Sequence, residues 1–367
     1  MPPASTRIAS AIVMATVVAG IVYAGHLAVC AFVFLLGALV YRELLNVRYQ
    51  THSNKIKGKV KRFRTISWSW FIVALHFAYG SDIAKAPMGF LSGSSSSSSS
   101  SSSMSLPAPL AAARDVLSTV DHTVASFALY SIVFVLTVAS LRGTEEELRF
   151  QISQLCWSIA AICLTVMQMK WSVFNTYHGL FWIVFPAILV ACNDCGAYIA
   201  GKSFGKKFIT KTFFPLSPNK TWEGFIGAAV FTCIAGFFLP LYLAQFDWLR
   251  CSFGQLQLAA AAGSAAAGSE GGGEGGGEGS SLTCETSSLF TPSSTITLPF
   301  IMSATPITNI ERFGFGQIAP IQIHGIIMGL FASLVAPFGG LFASVVKRAY
   351  GLKDFSDIIP GHGKLCS

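Results

Sequence analysis

Residues Phe174 to Phe208 read FNTYHGLFWIVFPAILVAC and then NDCGAYIAGKSFGKKF, and the change between the two halves decides the fold. The first half, Phe174 to Cys192, is uncharged and as long as an α-helix must be to cross a hydrocarbon core, about 17–25 residues. The second half opens on Asn193 and Asp194, then interleaves Gly196, Gly201 and Gly205 with Lys202, Lys206 and Lys207. This step from apolar to glycine- and lysine-rich sequence marks a helix leaving a membrane at Asn193 and Asp194 and entering a basic surface loop.

Further apolar stretches of spanning length run roughly Ile8 to Ala24, Val29 to Leu45, Ser67 to Leu91, Thr123 to Leu141, Ile152 to Met169, Trp222 to Phe246 and Ile321 to Val346. The first two are parted only around Gly25 and His26, which predicts a tight hairpin. A single charge at Arg7 and the immediate return of apolar sequence favour a retained first helix over a cleaved leader. Composition agrees: of 367 residues, 52% are hydrophobic and only 11% charged, with a mean hydropathy of +0.58, whereas soluble domains carry about 25% charge. Too little polar surface is available to cover a water-soluble globule. The expected fold is an all-α polytopic membrane protein with about eight transmembrane helices.

The net charge of +8 raises nucleic acid as a partner, but in a membrane protein cationic loops first report orientation, and no nucleic acid is expected. With Arg7 on the cytoplasmic side, the loops Asn46 to Ile66, Arg142 to Gln151 and Asp194 to Thr221 and the tail from Lys347 share that side. With Arg7 included they hold 19 of the 25 basic residues; Arg114, Lys170, Arg250 and Arg312 fall opposite. Two low-complexity segments, Ser94 to Ser103 and Ala259 to Ser281, cannot offset their ordering entropy by burial and are expected to be disordered insertions. The chain is accordingly divided into N-terminal transmembrane helices with a basic loop (1–91), a linker (92–121) and a transmembrane region of site-bearing helices (122–367) interrupted by a loop (247–320). Cys192 and Cys195 form a lone CxxC without the second pair a zinc site needs, and Cys251 and Cys284 are open to pairing if their loop is lumenal. His26, His76 and His178 lack carboxylates at helical spacing and read as packed or interfacial histidines.

Two clusters carry chemistry. Around Asn193 to Phe208 and on through SPNKTWEG (Ser217 to Gly224), glycines permit close backbone approach and lysines supply point charges, a combination suited to a polyphosphate. The spacing is neither a Walker A loop nor a dinucleotide fingerprint; a basic loop drawn to anionic lipid headgroups is the plainer alternative. The second cluster is SVVKRAYGLKDFSDIIPGHGKLCS, with Lys347, Arg348 and Lys353 beside Asp354 and Asp357 and a turn at Gly361-His362-Gly363. A carboxylate among cations at a membrane surface is what Mg²⁺ with a nucleoside triphosphate requires. Both clusters fall on the cytoplasmic face in the topology above, which makes a soluble phosphorylated compound and a lipid phosphate the natural partners.

Ser344-Val-Val-Lys347-Arg348-x4-Lys353-Asp354-x4-Ile359-Pro360-Gly361-His362-Gly363 resembles the signature of the phosphatidate cytidylyltransferases, and SPNKTWEG, NDCGAYIAGKSFG, HGIIMG (His324 to Gly329) and APFGGLFASVVKRA (Ala336 to Ala349) resemble the eukaryotic branch in order and spacing. The resemblance implies transfer of a cytidylyl group from CTP to phosphatidic acid, giving CDP-diacylglycerol and pyrophosphate with Mg²⁺ as cofactor. It implies catalytic roles for Lys347, Arg348, Lys353 and Asp354. It further implies nucleotide-shaping roles for Asn193, Asp194, Ser217, Lys220, Thr221, Glu223 and His362, with Asp354 and Asp194 on the metal. Residence in the bilayer of the endoplasmic reticulum and homodimerisation are further implications. The family continues after its GHG with another Gly and an Asp-Arg-x-Asp; this sequence instead reads Lys364 to Ser367 and stops, which reads as a C-terminal truncation missing part of the metal site. Against this stand two other readings: an anionic-solute transporter, which should show inverted repeats with broken helices, and a catalytically inactive membrane scaffold related to the family.

Overall fold

A computed structural model describes residues 4–52, 60–85, 121–209, 211, 213, 220–256, 287–291 and 318–351. In chain order the helices are α1 (Ala4–Tyr23), α2 (His26–His52), α3 (Val60–Lys85), α4 (His122–Ser140), α5 (Glu145–His178), α6 (Phe181–Phe204), α7 (Trp222–Leu243), the single turn α8 (Asp247–Arg250) and α9 (Pro320–Ala349). No strand occurs among the described residues. Six helices there (α2, α4, α5, α6, α7 and α9) are long and apolar enough to cross a membrane. Each of the eight expected spans falls on a helix over most of its described residues, but α1 offers only a shorter apolar stretch, Ala9–Tyr23. The α3 helix, diluted by Arg64, His76 and several serines and tryptophans, is not among the six. The low-complexity segments lie outside the described residues.

Boundaries shift where local chemistry outweighs hydropathy. The break expected between Met169 and Phe174 does not exist: α5 runs unbroken through Lys170 to His178. Lys170 survives in the helix because its ammonium donates to the Ala78 carbonyl at 2.7 Å, so the charge is satisfied within the bundle. The turn comes instead at Gly179, whose φ is +143° and where a Cβ would lie 2.9 Å from the Arg250 carbonyl oxygen; only glycine suits both demands. Gly25, at φ +99°, makes the hairpin between α1 and α2. The basic loops also shorten, since α2 continues to His52, α3 begins at Val60 and α5 begins at Glu145.

The chain divides into two compact units. In Leu35–Trp171 polar side-chain bonds link the helices. Fully buried Tyr41 stacks on Phe71 at 4.4 Å and donates its hydroxyl to Ser67 O at 2.6 Å. Ser67 meets Ser158 at 3.0 Å, Trp70 Nε1 donates to Thr137 Oγ1 at 3.0 Å, and His76 Nδ1 pairs with Ser126 Oγ at 2.9 Å. In lipid, where burial of one apolar side chain against another gains little over contact with acyl chains, such bonds and close packing hold helices together.

The other unit, Met1–Phe34 with Ser172–Ser367, has its apolar core at one end, where Leu180, Phe181, Phe185, Leu243, Leu249, Ala319 and Ile321 are buried together. Here His26 is buried and donates from Nε2 to the Cys251 carbonyl at 3.3 Å, the packed role expected for it. Cys251 is fully buried and disulfide-bonded; Cys284 lies outside the described residues.

Candidate functional site

From the buried end of this unit, α6, α7 and α9 pack with neighbours antiparallel, and small residues set how closely they approach. A Cβ at Gly196 would lie 3.2 Å from the Ala228 Cα, and one at Gly224 would lie 3.1 Å from the Ala197 carbonyl oxygen. Between α7 and α9, Gly236 and Gly325 face each other so closely that a Cβ on either would collide with the other's carbonyl, and a Cβ on Gly329 would come within 2.9 Å of Thr232 O. Backbone approach of this kind is the membrane counterpart of core packing.

This packing changes the reading of Asn193 to Phe204. The segment expected as a surface loop is helix, and α6 continues ten residues past Asp194. Its glycines Gly196 and Gly201 serve the contact with α7. Asn193 is 2% exposed, and Thr232 Oγ1 donates to its Oδ1 at 3.5 Å while also donating to Ala228 O. Asp194, the next residue, lies on the exposed surface of α6, about 20 Å along the helix from Phe181 at a rise of 1.5 Å per residue. The carboxylate is therefore set below the end of its helix.

Lys220 lies electrostatically within reach of Asp194, and its Nζ is 3.9 Å from where a Cβ on Gly340 would be. It thus connects α6, α7 and α9. Its backbone carbonyl accepts from Phe213 N, and the Phe213 ring packs on Phe225 and Trp222 at 4.7 and 4.8 Å, which anchors the approach to α7. Thr221 is the N-cap of α7, its hydroxyl accepting from Gly224 N at 3.2 Å. Glu223, in the first turn, accepts from Phe208 N at 3.1 Å and Ile209 N at 2.8 Å through one oxygen, Oε1. Between α6 and that clamp, Lys206 takes a left-handed conformation with φ +62°.

Among the described residues, no ion pair involves Lys202, Lys206, Lys207 or Lys220; Lys202 and Lys207 instead lie over the Tyr198 and Phe204 rings at 5.8 and 5.6 Å. Lys347 and Arg348 end α9, about 10 Å along the axis from Gly340, where cations suit a helix C-terminus. Ser217, Lys353, Asp354 and His362 lie outside the described residues. Residue type alone did not single out Thr232, Gly340 or Phe213, nor did any spacing signal the left-handed conformation of Lys206.

Mg²⁺ holds to one or two carboxylates and otherwise to phosphate oxygens and water. Among the described residues no group of three potential ligands forms, and near the lysines Asp194 is a carboxylate not committed to the backbone. That supply fits a cation carried largely by substrate phosphates.

The chain matches the Cytidylyltransferase family over residues 5–365. It belongs to that family. Relatives within it include a "Probable phosphatidate cytidylyltransferase" of Dictyostelium discoideum, 34% identical over 92% of this chain and 61% of its own length. "Phosphatidate cytidylyltransferase 1" of Arabidopsis thaliana is 33% identical over 94% and 70%. "Phosphatidate cytidylyltransferase" of Saccharomyces cerevisiae is 35% identical over 66% and 47%. The chain thus spans less than two thirds of the Dictyostelium protein. No solved structure matches it. Within this cytidylyltransferase family member the α6–α7–α9 bundle carries the lysines, and the transporter reading is not favoured.

Proposed function

We propose that the protein transfers a cytidylyl group from CTP to phosphatidic acid in the membrane. A phosphate oxygen of phosphatidic acid bonds to the α-phosphorus of CTP, the bond from that phosphorus to the bridging oxygen breaks, and pyrophosphate leaves with the electron pair. What carries the reading is the set of lysines, Lys202, Lys206, Lys207 and Lys220, around the ends of α6 and α7, none of them in an ion pair among the described residues. A triphosphate brings the anionic charge such a cluster lacks. Lys220, within reach of Asp194, is suited to charge developing on the leaving group; Lys347 and Arg348 are suited to the phosphatidate. Asp194 together with Asp354 would hold Mg²⁺, which when bound would supply positive charge against that of the phosphates. Asn193 and Thr221 act by holding α6 and α7 in place.

The endoplasmic reticulum is the proposed membrane. Its support is the disulfide at Cys251, a bond that persists in oxidising compartments, on the side opposite most of the loop cations. Membranes from cells expressing the protein, given CTP labelled in its α-phosphate, phosphatidic acid and Mg²⁺, should yield labelled CDP-diacylglycerol with equimolar pyrophosphate. Folded protein that leaves the lipid phase unlabelled would overturn the assignment.

A further inference from the structure

Glu223 lies three residues from Lys220 in sequence, and its position invites a role on a metal or as a base. Its geometry points elsewhere. Oε1 is taken up by two backbone N–H groups, Phe208 N at 3.1 Å and Ile209 N at 2.8 Å, while Oε2 is sheltered and has no partner among the described residues.

Those two amides follow directly on Lys206 and Lys207, and three features show that the turn needs holding. Gly205 N closes on Gly201 O at 3.1 Å, and a Cβ at Gly205 would collide with that same carbonyl, so the chain leaves α6 through a tight glycine. Lys206 then sits at φ +62°, a region that costs a non-glycine residue energy and persists only where surroundings impose it. Lys207 N bonds back to Phe204 O at 3.1 Å. The next donors, Phe208 N and Ile209 N, would be left to water were Glu223 absent. The carboxylate is itself fixed by the first turn of α7, where the Thr221 cap and the positive end of the helix favour an anion.

We propose that Glu223 is a positioning residue: by accepting both amides it fastens the Lys206–Lys207 turn to the start of α7, so that two ammonium groups face the nucleotide phosphates beside Lys220. This rests on the cytidylyl-transfer reading for what the lysines bind, but the clamp itself does not. What matters is an acceptor at full glutamate reach, not negative charge.

Three variants and two readouts test it. Glu223→Gln keeps the acceptor and the reach and loses the charge; Glu223→Asp keeps the charge and is one methylene short; Glu223→Ala loses both. Hydrogen exchange over the peptide Gly205 to Ile209 should show the Phe208 and Ile209 amides protected in the wild type and in Glu223→Gln. They should exchange at least tenfold faster in Glu223→Asp and Glu223→Ala. In labelled-CTP assays the KM for CTP should stay within about threefold for Glu223→Gln and rise at least tenfold for the other two, with kcat falling less than KM rises. Glu223→Gln as inactive as Glu223→Ala, or unchanged exchange in Glu223→Ala, would overturn the clamp. Should the wild type show no CTP-dependent labelling, the functional reading fails while the exchange pattern still decides on the clamp.

Discussion

The two units of this molecule hold their helices together by different means. Between α6, α7 and α9 the contacts are backbone to backbone, through Gly196, Gly224, Gly236, Gly325 and Gly329. Among α3, α4 and α5 they are side chain to side chain, through Ser67 with Ser158, Trp70 with Thr137 and His76 with Ser126. A backbone contact admits no adjustment, whereas a hydroxyl or indole can rotate or take another partner. The region whose lysines must converge on a phosphate is the one built from contacts that cannot give. Pre-organised charge is what an electrostatically driven transfer needs.

The contrast can be broken by substitution, and the largest effect is expected at its most rigid point. Gly236→Leu places a side chain against the Gly325 carbonyl and should remove well over 3 kcal/mol, beyond the usual range of about 1–3 kcal/mol for overpacking. Thermal unfolding in detergent should find little native protein, and a variant unfolding like the wild type would show that α7 and α9 tolerate separation. Next is Asp194→Asn, expected to cut cytidylyl transfer by roughly 10²–10³-fold, several kcal/mol of charge stabilisation, without shifting the melting temperature. A parallel loss of stability would make Asp194 structural. In the other unit, Thr137→Val removes the acceptor of the Trp70 indole and should cost about 1 kcal/mol, with turnover within twofold of the wild type. Smallest is Thr221→Ala, which loses the α7 cap for roughly 1 kcal/mol or less; its signature is a modest rise in the KM for CTP as the Glu223 clamp loosens. An equal effect on kcat would place Thr221 against substrate instead.

Much of the fold is legible in hydropathy because a bilayer imposes it: the spans at Thr123 to Leu141, Trp222 to Phe246 and Ile321 to Val346 match α4, α7 and α9 to within a few residues. Misreadings occur where a charge or glycine meant something other than an exit to water. Lys170 reads as a loop residue until Ala78 O is seen to accept from it. Gly196 and Gly201 read as phosphate-approaching loop glycines until α7 is found against them. In both places the partner lies far along the chain, and local composition carries no trace of it. The site shows the same limit. Residue type drew attention to Asp194 and the family resemblance to Lys220 and Glu223, but the engagement of Glu223 with two backbone amides depends on a left-handed Lys206 that no spacing rule demands.

Two lysines test the placement of the reaction most directly, Lys220 where α6, α7 and α9 meet and Lys170 in the other unit. Measured in one preparation, transfer of labelled cytidylyl to phosphatidic acid by Lys220→Met should fall at least ~100-fold with its melting temperature unchanged. Lys170→Met, which loses only its bond to Ala78 O, should melt lower while retaining turnover within about threefold, since its loss touches stability and not the transferred charge. Near-normal transfer by Lys220→Met, or equal losses of activity in the two, would contradict the placement of the reaction in the glycine-packed bundle.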